Sequence, residues 1–290
     1  MKKYKILKVG VDFNFNDNGI SETNTKGSRV KKIVIDKKNR QAYFKYEKYN
    51  CSEACSEKMS YEIAKILGYP CAHIELGKDE KGNLGVLNYL FINRIEEEHD
   101  DAVSYINKDA SQRKDFYTIE NIKKCLDAID KNLFNDFLKI MVFDALVGET
   151  DRHEENWGIT KSKKGYKISP LYDNGCNLVR NFKDEKLMQE YESGKKTFKD
   201  YINKPKSVIY KDDHSGQYKL VELIEFLYEK YPEQIKKELI NLDKLTESKI
   251  EEIVNKISND LLTELHKKYI IQFLKERKKI LQGIIEKERK

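Results

Sequence analysis

The 290-residue chain has one tryptophan, four prolines and five cysteines, and no long apolar run. Each scarcity excludes something. The longest stretch without a charged residue, 82–93, falls short of the ~20 apolar residues that cross a bilayer as a helix, so no transmembrane segment is expected. The first nine residues carry lysines but no apolar run follows, because Gly10 and Asp12 interrupt it, and no secretory leader is read there. Cys51, Cys55, Cys71, Cys125 and Cys176 are odd in number and lack the spacing of a disulfide framework, which suits a reducing compartment and makes the cytoplasm the expected location. Cys51 and Cys55 would share a helix face, but no second Cys or His pair supplies the rest of a zinc site, so both read as buried thiols. The prolines form no linker, and no internal repeat is visible. Charge of one sign is scarce too. Lys plus Arg at 55 against Asp plus Glu at 49 leaves +6, interspersed along the chain, a weak footprint for nucleic acid.

What is present suffices for a globular protein: 39% of residues are hydrophobic, and a prior of ~150 residues per domain suggests two lobes. The front reads as strands. Residues 33–35 and 42–46 are β-branched or aromatic runs separated by a polar turn at 36–40, a hairpin pattern. Residues 56–67 carry Met59, Ile63, Ile66 and Leu67 at helical spacing, stopped by Gly68 and Pro70. Strand character returns at 73–76 and 84–95. Beyond Glu96 the texture becomes that of long amphipathic helices, clearest at 119–129 and 133–147, the second ending at Gly148. An irregular insert interrupts them: Trp157 to Ile159 and Tyr166 to Ile168 form a short hairpin with polar residues at both ends. Helices resume from Lys219, and the charged stretches 275–279 and 286–290 read as solvated faces.

The insert holds the residues suited to chemistry. Asp151-Arg152-His153-Glu154-Glu155-Asn156 places a carboxylate and a carboxamide five residues apart in a loop leaving a helix, and Asp173 follows 22 residues after Asp151. Phosphoryl transfer uses such parts: one Asp orients or deprotonates the attacking hydroxyl, while an Asn and a second Asp hold Mg²⁺ through hard oxygens. With 20 Asp and 21 Asn in the chain, about 1.4 Asp-x4-Asn pairs arise by chance, and requiring His in the third place leaves ~0.02, so the whole string is informative. His153 itself reads as a loop-structuring residue.

The stretch Val142-Phe143-Asp144-Ala145-Leu146-Val147-Gly148-Glu149-Thr150-Asp151-Arg152-His153-Glu154-Glu155-Asn156-Trp157-Gly158, followed by Ile168-Ser169-Pro170-Leu171-Tyr172-Asp173, resembles the catalytic core of HipA-like serine/threonine kinases, with compact stand-alone members the nearest likeness. The resemblance implies an α+β, bilobal protein-kinase-like fold. Residues 1–95 would form a small β-rich N-lobe with one helix, and 96–290 a larger, mainly helical C-lobe. Asp151 would be the catalytic Asp. Asn156 and Asp173 would hold the metal, Asp173 heading an Asp-Asn-Gly version of the kinase Asp-Phe-Gly motif. Lys45, off the apolar face of its strand, would grip nucleotide phosphates, paired with Glu57 as the candidate, with Glu62, one step of helix rotation away, as the fallback. Phe91, Ile92 and Asn93 would meet adenine at the crossing between lobes. Gly27 and Ser28 would lie in the phosphate-covering loop, which has no G-x-G-x-x-G, and Ser21, Thr25 and Ser28 are candidate autophosphorylation sites. The larger HipA toxins carry an extra N-terminal subdomain for which the roughly twenty residues here leave no room. The implied activity is transfer from ATP, with Mg²⁺, to a Ser or Thr hydroxyl of a protein, with an antitoxin-like partner and no membrane. Two alternatives stay open: a phosphatidylinositol-type lipid kinase, whose loop is similar, and a nucleotide-binding pseudokinase.

Overall fold

In a computed structural model of the chain, residues 2–15, 31–48, 51–106, 112–183 and 185–286 are described. Gly27 and Ser28, with Ser21 and Thr25, lie outside them, as do residues 287–290. The N-lobe is built from β1 (Ile6–Lys8), β2 (Phe13–Phe15), β3 (Lys31–Asp36), β4 (Gln41–Tyr46), helix α1 (Glu53–Leu67), β5 (Ile74–Lys78) and β6 (Leu84–Tyr89). These strands form one sheet in the order β1-β5-β6-β4-β3-β2, in which β1 runs parallel to β5 and every other pair is antiparallel. The expected hairpin is β3–β4, turned by Asp36, whose carboxylate accepts the N–H groups of Lys38 and Arg40.

Alternation along the strands gives the sheet two unlike faces. Phe13, Val34, Ala42, Phe44, Leu87 and Tyr89 form a small cluster on one face. The other face, through Ile74, Leu76 and Val86, joins α1 residues Met59 and Ile63 in an apolar cluster that continues without a break into the helical lobe.

That lobe comprises β7 (Glu97–Asp101), α2 (Arg113–Phe116), α3 (Ile119–Ile129), α4 (Leu133–Val147), β8 (Gly158–Ser162), β9 (Gly165–Ile168), α5 (Glu185–Glu192), α6 (Phe198–Asn203), the hairpin β10 (Lys206–Tyr210) and β11 (Gln217–Lys219), α7 (Leu220–Lys230), α8 (Pro232–Asn241), α9 (Glu247–Asn255) and α10 (Glu264–Glu286). α4 is apolar on nearly every side and correspondingly central, packed by α3, α7, α8, α10 and β9. It stops at Gly148, which takes a left-handed φ of 75° and donates its N–H to Asp144 O at 2.8 Å. A side chain there would meet strain and, at 2.6 Å, the Phe273 ring of α10.

Four expectations need correction. The helix expected from residue 56 begins a turn earlier, at Glu53. The strand expected over 84–95 ends at Tyr89, because the chain turns where Asn93 O accepts the N–H groups of Glu96 and Glu97. The polar run Glu97–Asp101, expected within the helical region, is instead a strand pairing antiparallel with β8 in a three-stranded β7-β8-β9 sheet. In 275–279, read as solvated, Arg277 is fully buried, donating to Ala145 O and, at 3.0 Å, to Ile202 O. Among the described residues no helix is long and apolar enough to cross a membrane. Cys51 and Cys55 are both buried.

Candidate active site

Three elements meet where the two lobes face each other. Lys45 projects from β4, an element whose inward positions are Ala42 and Phe44, and is only 6% exposed. Its Nζ lies 2.6 Å from Glu57 Oε1 on α1 and also contacts Asp173 Oδ1. Glu62 faces elsewhere, toward Lys58 at 3.0 Å and Lys65 at 3.5 Å. Asp173 holds a left-handed φ of 54°, a conformation Asp tolerates better than most residues. Two residues on, Gly175 passes so close to α1 that a Cβ would sit 3.0 Å from Glu57 Oε1, and the Glu57 side chain would have to give by a few tenths of an ångström to admit it.

The loop after α4 carries Asp151 and Asn156. Asn156 Nδ2 donates to Asp151 O at 2.7 Å, which closes the loop and directs the carboxamide oxygen to the other side. Asp151 keeps its carboxylate about half-exposed, with the Cys176 thiol donating to Oδ2 at 3.5 Å. Burial pushes that thiol's pKa far up, so it remains a donor. His153 accepts the Glu155 N–H at Nδ1 and thus shapes the loop.

Several residues to which the sequence reading gave no role hold this constellation. Arg152, 2% exposed, forks onto both oxygens of Asp144 at 2.9 and 3.0 Å, and donates to Asn156 O at 2.7 Å, Tyr172 O at 3.0 Å and Asn174 Oδ1. One guanidinium therefore ties α4, the 151–156 loop and the Asp173 segment together. Burial works against its charge, but Asp144 and Glu149 more than offset this and hold its pKa above the ordinary range. Tyr117, fully buried, donates its OH to Arg152 O at 2.7 Å and accepts the Trp157 indole N–H at 2.8 Å. Glu149, 1% exposed, accepts the N–H of Asp151 at 2.9 Å and that of Cys176 at 3.2 Å. Burial pushes its carboxyl up to about 7 against the pull of Arg152. The signal that could have found Arg152 was its place within the improbable six-residue string. Tyr117 and Glu149 have no local signature.

At the crossing between lobes, Phe91 stacks on Tyr172, centroids 5.6 Å apart, with His99 edge-on to both. Among the described residues Phe91 and Ile92 enter no main-chain hydrogen bond, whereas Asn93 donates its N–H to Glu97 Oε2 and accepts two others at its carbonyl. The three residues expected to meet adenine are thus unlike: the turn occupies Asn93.

A family model described as the HipA-like C-terminal domain matches residues 20–259. The serine/threonine-protein kinase CtkA of Helicobacter pylori (strain J99 / ATCC 700824) is 27% identical over 168 residues, 54% of this chain and 50% of that protein, so the match spans about half the length of that relative. The crystal structure of the H. pylori proinflammatory kinase CtkA superposes with a TM-score of 0.74 at 22% identity, covering 89% of this chain and 95% of that one. In the Shewanella oneidensis MR-1 complex of HipA, HipB and operator DNA, the matched chain gives 0.57 at 14% identity, covering 93% of this chain and 66% of that one. At these identities the two structures establish the fold, and they agree with the two-lobed arrangement built up above. With most of its length matched, the chain belongs to the HipA-like C-terminal domain family.

Proposed function

We propose that the protein is a Mg²⁺-dependent serine/threonine protein kinase that transfers the γ-phosphoryl group of ATP to a protein hydroxyl. The observation that carries this reading is the meeting of Lys45, Glu57 and Asp173, from three separate elements, beside the loop that bears Asp151 and Asn156. Phosphoryl transfer demands little covalent chemistry from the protein, because positioning and charge neutralisation supply most of the rate. In this reading Asp151 accepts or orients the hydroxyl proton. Lys45, steadied by Glu57, holds phosphate oxygens of the nucleotide. The Asn156 carboxamide oxygen and the Asp173 carboxylate would hold Mg²⁺, which when bound neutralises phosphate charge. The donor set suits that ion: both ligands are hard oxygens, and Mg²⁺ commonly completes its coordination with substrate phosphates and water.

Phe91 and Ile92 offer main-chain groups to adenine, and Gly27 and Ser28 are assigned to the phosphate-covering loop. Residues 1–95 and 96–290 are taken as the two lobes, with the nucleotide between them. The relative CtkA is named a serine/threonine-protein kinase, which supports a protein substrate; autophosphorylation is part of the same proposal. The neighbour HipA was solved together with HipB of a toxin–antitoxin system, which supports an antitoxin-like partner; the cytoplasm is assigned from the cysteine pattern alone.

The test is mass spectrometry of the purified protein and a generic protein substrate after incubation with ATP. Phosphate on Ser or Thr, absent when Mg²⁺ is chelated, is the expected result. Transfer to phosphoinositide vesicles in place of protein would make it a lipid kinase, and nucleotide binding without turnover a pseudokinase; either overturns the proposal.

A further inference from the structure

The first half of α1 is polar and yet buried. Ser52, Glu53, Ser56, Glu57 and Ser60 are each at most 2% exposed, and their spacing puts them along one side of the helix. Burying hydroxyls and carboxylates is unfavourable unless each finds a partner. Among the described residues, and apart from the Glu57 bond to Lys45, the partners seen for these side chains belong to one segment, 174–180. Ser52 donates through N and Oγ to Arg180 O at 3.1 and 3.2 Å, and Glu53 pairs with the Arg180 guanidinium. Ser56 Oγ donates to Asn177 O at 3.2 Å. Ser60 Oγ exchanges hydrogen bonds with the Asn177 carboxamide at 3.0 and 3.3 Å.

Asn177, 3% exposed, has a second set of partners. Its Nδ2 reaches Glu149 Oε2 at 3.0 Å and Asn174 O at 2.9 Å. The other oxygen of Glu149 holds the Asp151 N–H. A chain of buried hydrogen bonds therefore runs from α1 through one carboxamide to the backbone of Asp151. The two residues that follow are strained: Leu178 and Val179 have φ of 47° and 59°, the left-handed region, where a β-branched residue is rare. Such backbone persists only where its surroundings over-determine it. Here Leu178 N donates to Val147 O at 3.1 Å, and His266 donates to Val179 O at 3.0 Å.

We propose that Asn177 is a positioning residue that couples α1 to the 149–151 segment, so that the Lys45–Glu57 pair and Asp151 are set together. The inference rests on the kinase reading above. Its test is a double-mutant cycle of Ser60→Ala and Glu149→Gln, residues that share no direct bond, measured as kcat and KM for Mg·ATP in the parent and in the Asn177→Ala background. Ser60→Ala is expected to raise KM about threefold or more and Glu149→Gln to lower kcat about tenfold, with the combined loss in kcat/KM smaller than the product by about threefold. That shortfall should vanish with Asn177→Ala. Additive effects in the parent, or a coupling that survives without Asn177, overturn the proposal; should Asn177→Ala not fold, the parent cycle decides alone. Should the parent transfer no phosphate, the kinase reading fails, and amide hydrogen exchange on nucleotide-free Ser60→Ala still tests the link. Faster exchange at the Asp151 amide as well as in α1 supports it, and a change confined to α1 overturns it.

Discussion

Lys45 sits between two carboxylates, and its removal would be felt twice. Glu57, 2% exposed, would lose its Lys45 partner at 2.6 Å, and Asp173 would lose its contact with the same ammonium. Breaking one side of a buried pair typically costs ~3 kcal/mol or more. Lys45→Met is therefore expected to lower unfolding free energy by about that amount in denaturant titration and to weaken Mg·ATP binding; an unchanged midpoint would show that the pair contributes nothing to the fold. Glu149 sets a different dependence, on pH. Burial raises its folded pKa from the ordinary 4.5 to about 7. A carboxyl that holds its proton more tightly when folded stabilises the fold fully below about pH 4 and loses that contribution as pH rises through about 7, a swing of up to ~3 kcal/mol. Thermal stability of the parent should thus fall between about pH 5 and pH 8, and Glu149→Gln should flatten that slope. Equal slopes in the two proteins would contradict it.

At the scale of elements, what the sequence could and could not reveal follows from where each pattern gets its partner. α3 and α4 occupy the spans their periodicity predicts, 119–129 and 133–147, because the apolar residues of each recur at helical spacing and Gly148 stops the second. The β8–β9 hairpin was legible from alternation around Lys163, Lys164 and Gly165. β7 was not, since Glu97–Asp101 has almost no intrinsic strand preference and becomes a strand only by pairing with β8. The first turn of α1 was hidden for a related reason: its polar side is buried against 174–180, a partner more than a hundred residues away. In α10, a charged run concealed Arg277, whose partners among the described residues are the carbonyls of Ala145, at the end of α4, and Ile202, in α6. A Lys at that position supplies a point charge where a fork is needed. Arg277→Lys is expected to cost ~2 kcal/mol, read as a thermal midpoint roughly 5 °C lower, through unsatisfied carbonyls, of which that of Ala145 lies just before the 149–151 loop. A midpoint within a degree of the parent's would assign the contact no structural weight.

For the molecule as a whole, chain length suggested two lobes, and the apolar cluster explains why they form one body: α1 and the inner face of the sheet share it with α4. The same continuity places Lys45, Glu57, Asp151, Asn156 and Asp173, drawn from positions up to 128 residues apart, around one cleft. The six-residue string in the 151–156 loop made two of these, Asp151 and Asn156, legible from sequence, because a loop motif carries its spacing with it. The Lys45–Glu57 pairing needed the sheet and helix to be assembled before Glu57 could be told from Glu62. The central claim, that this cleft transfers phosphate with Asp151 as the residue that handles the hydroxyl proton, is tested most directly by measuring phosphate transfer and ATP affinity together in Asp151→Ala. Transfer from labelled ATP should fall by at least ~10²-fold while the Kd for Mg·ATP stays within about threefold of the parent's; transfer at the parent's rate would contradict the account.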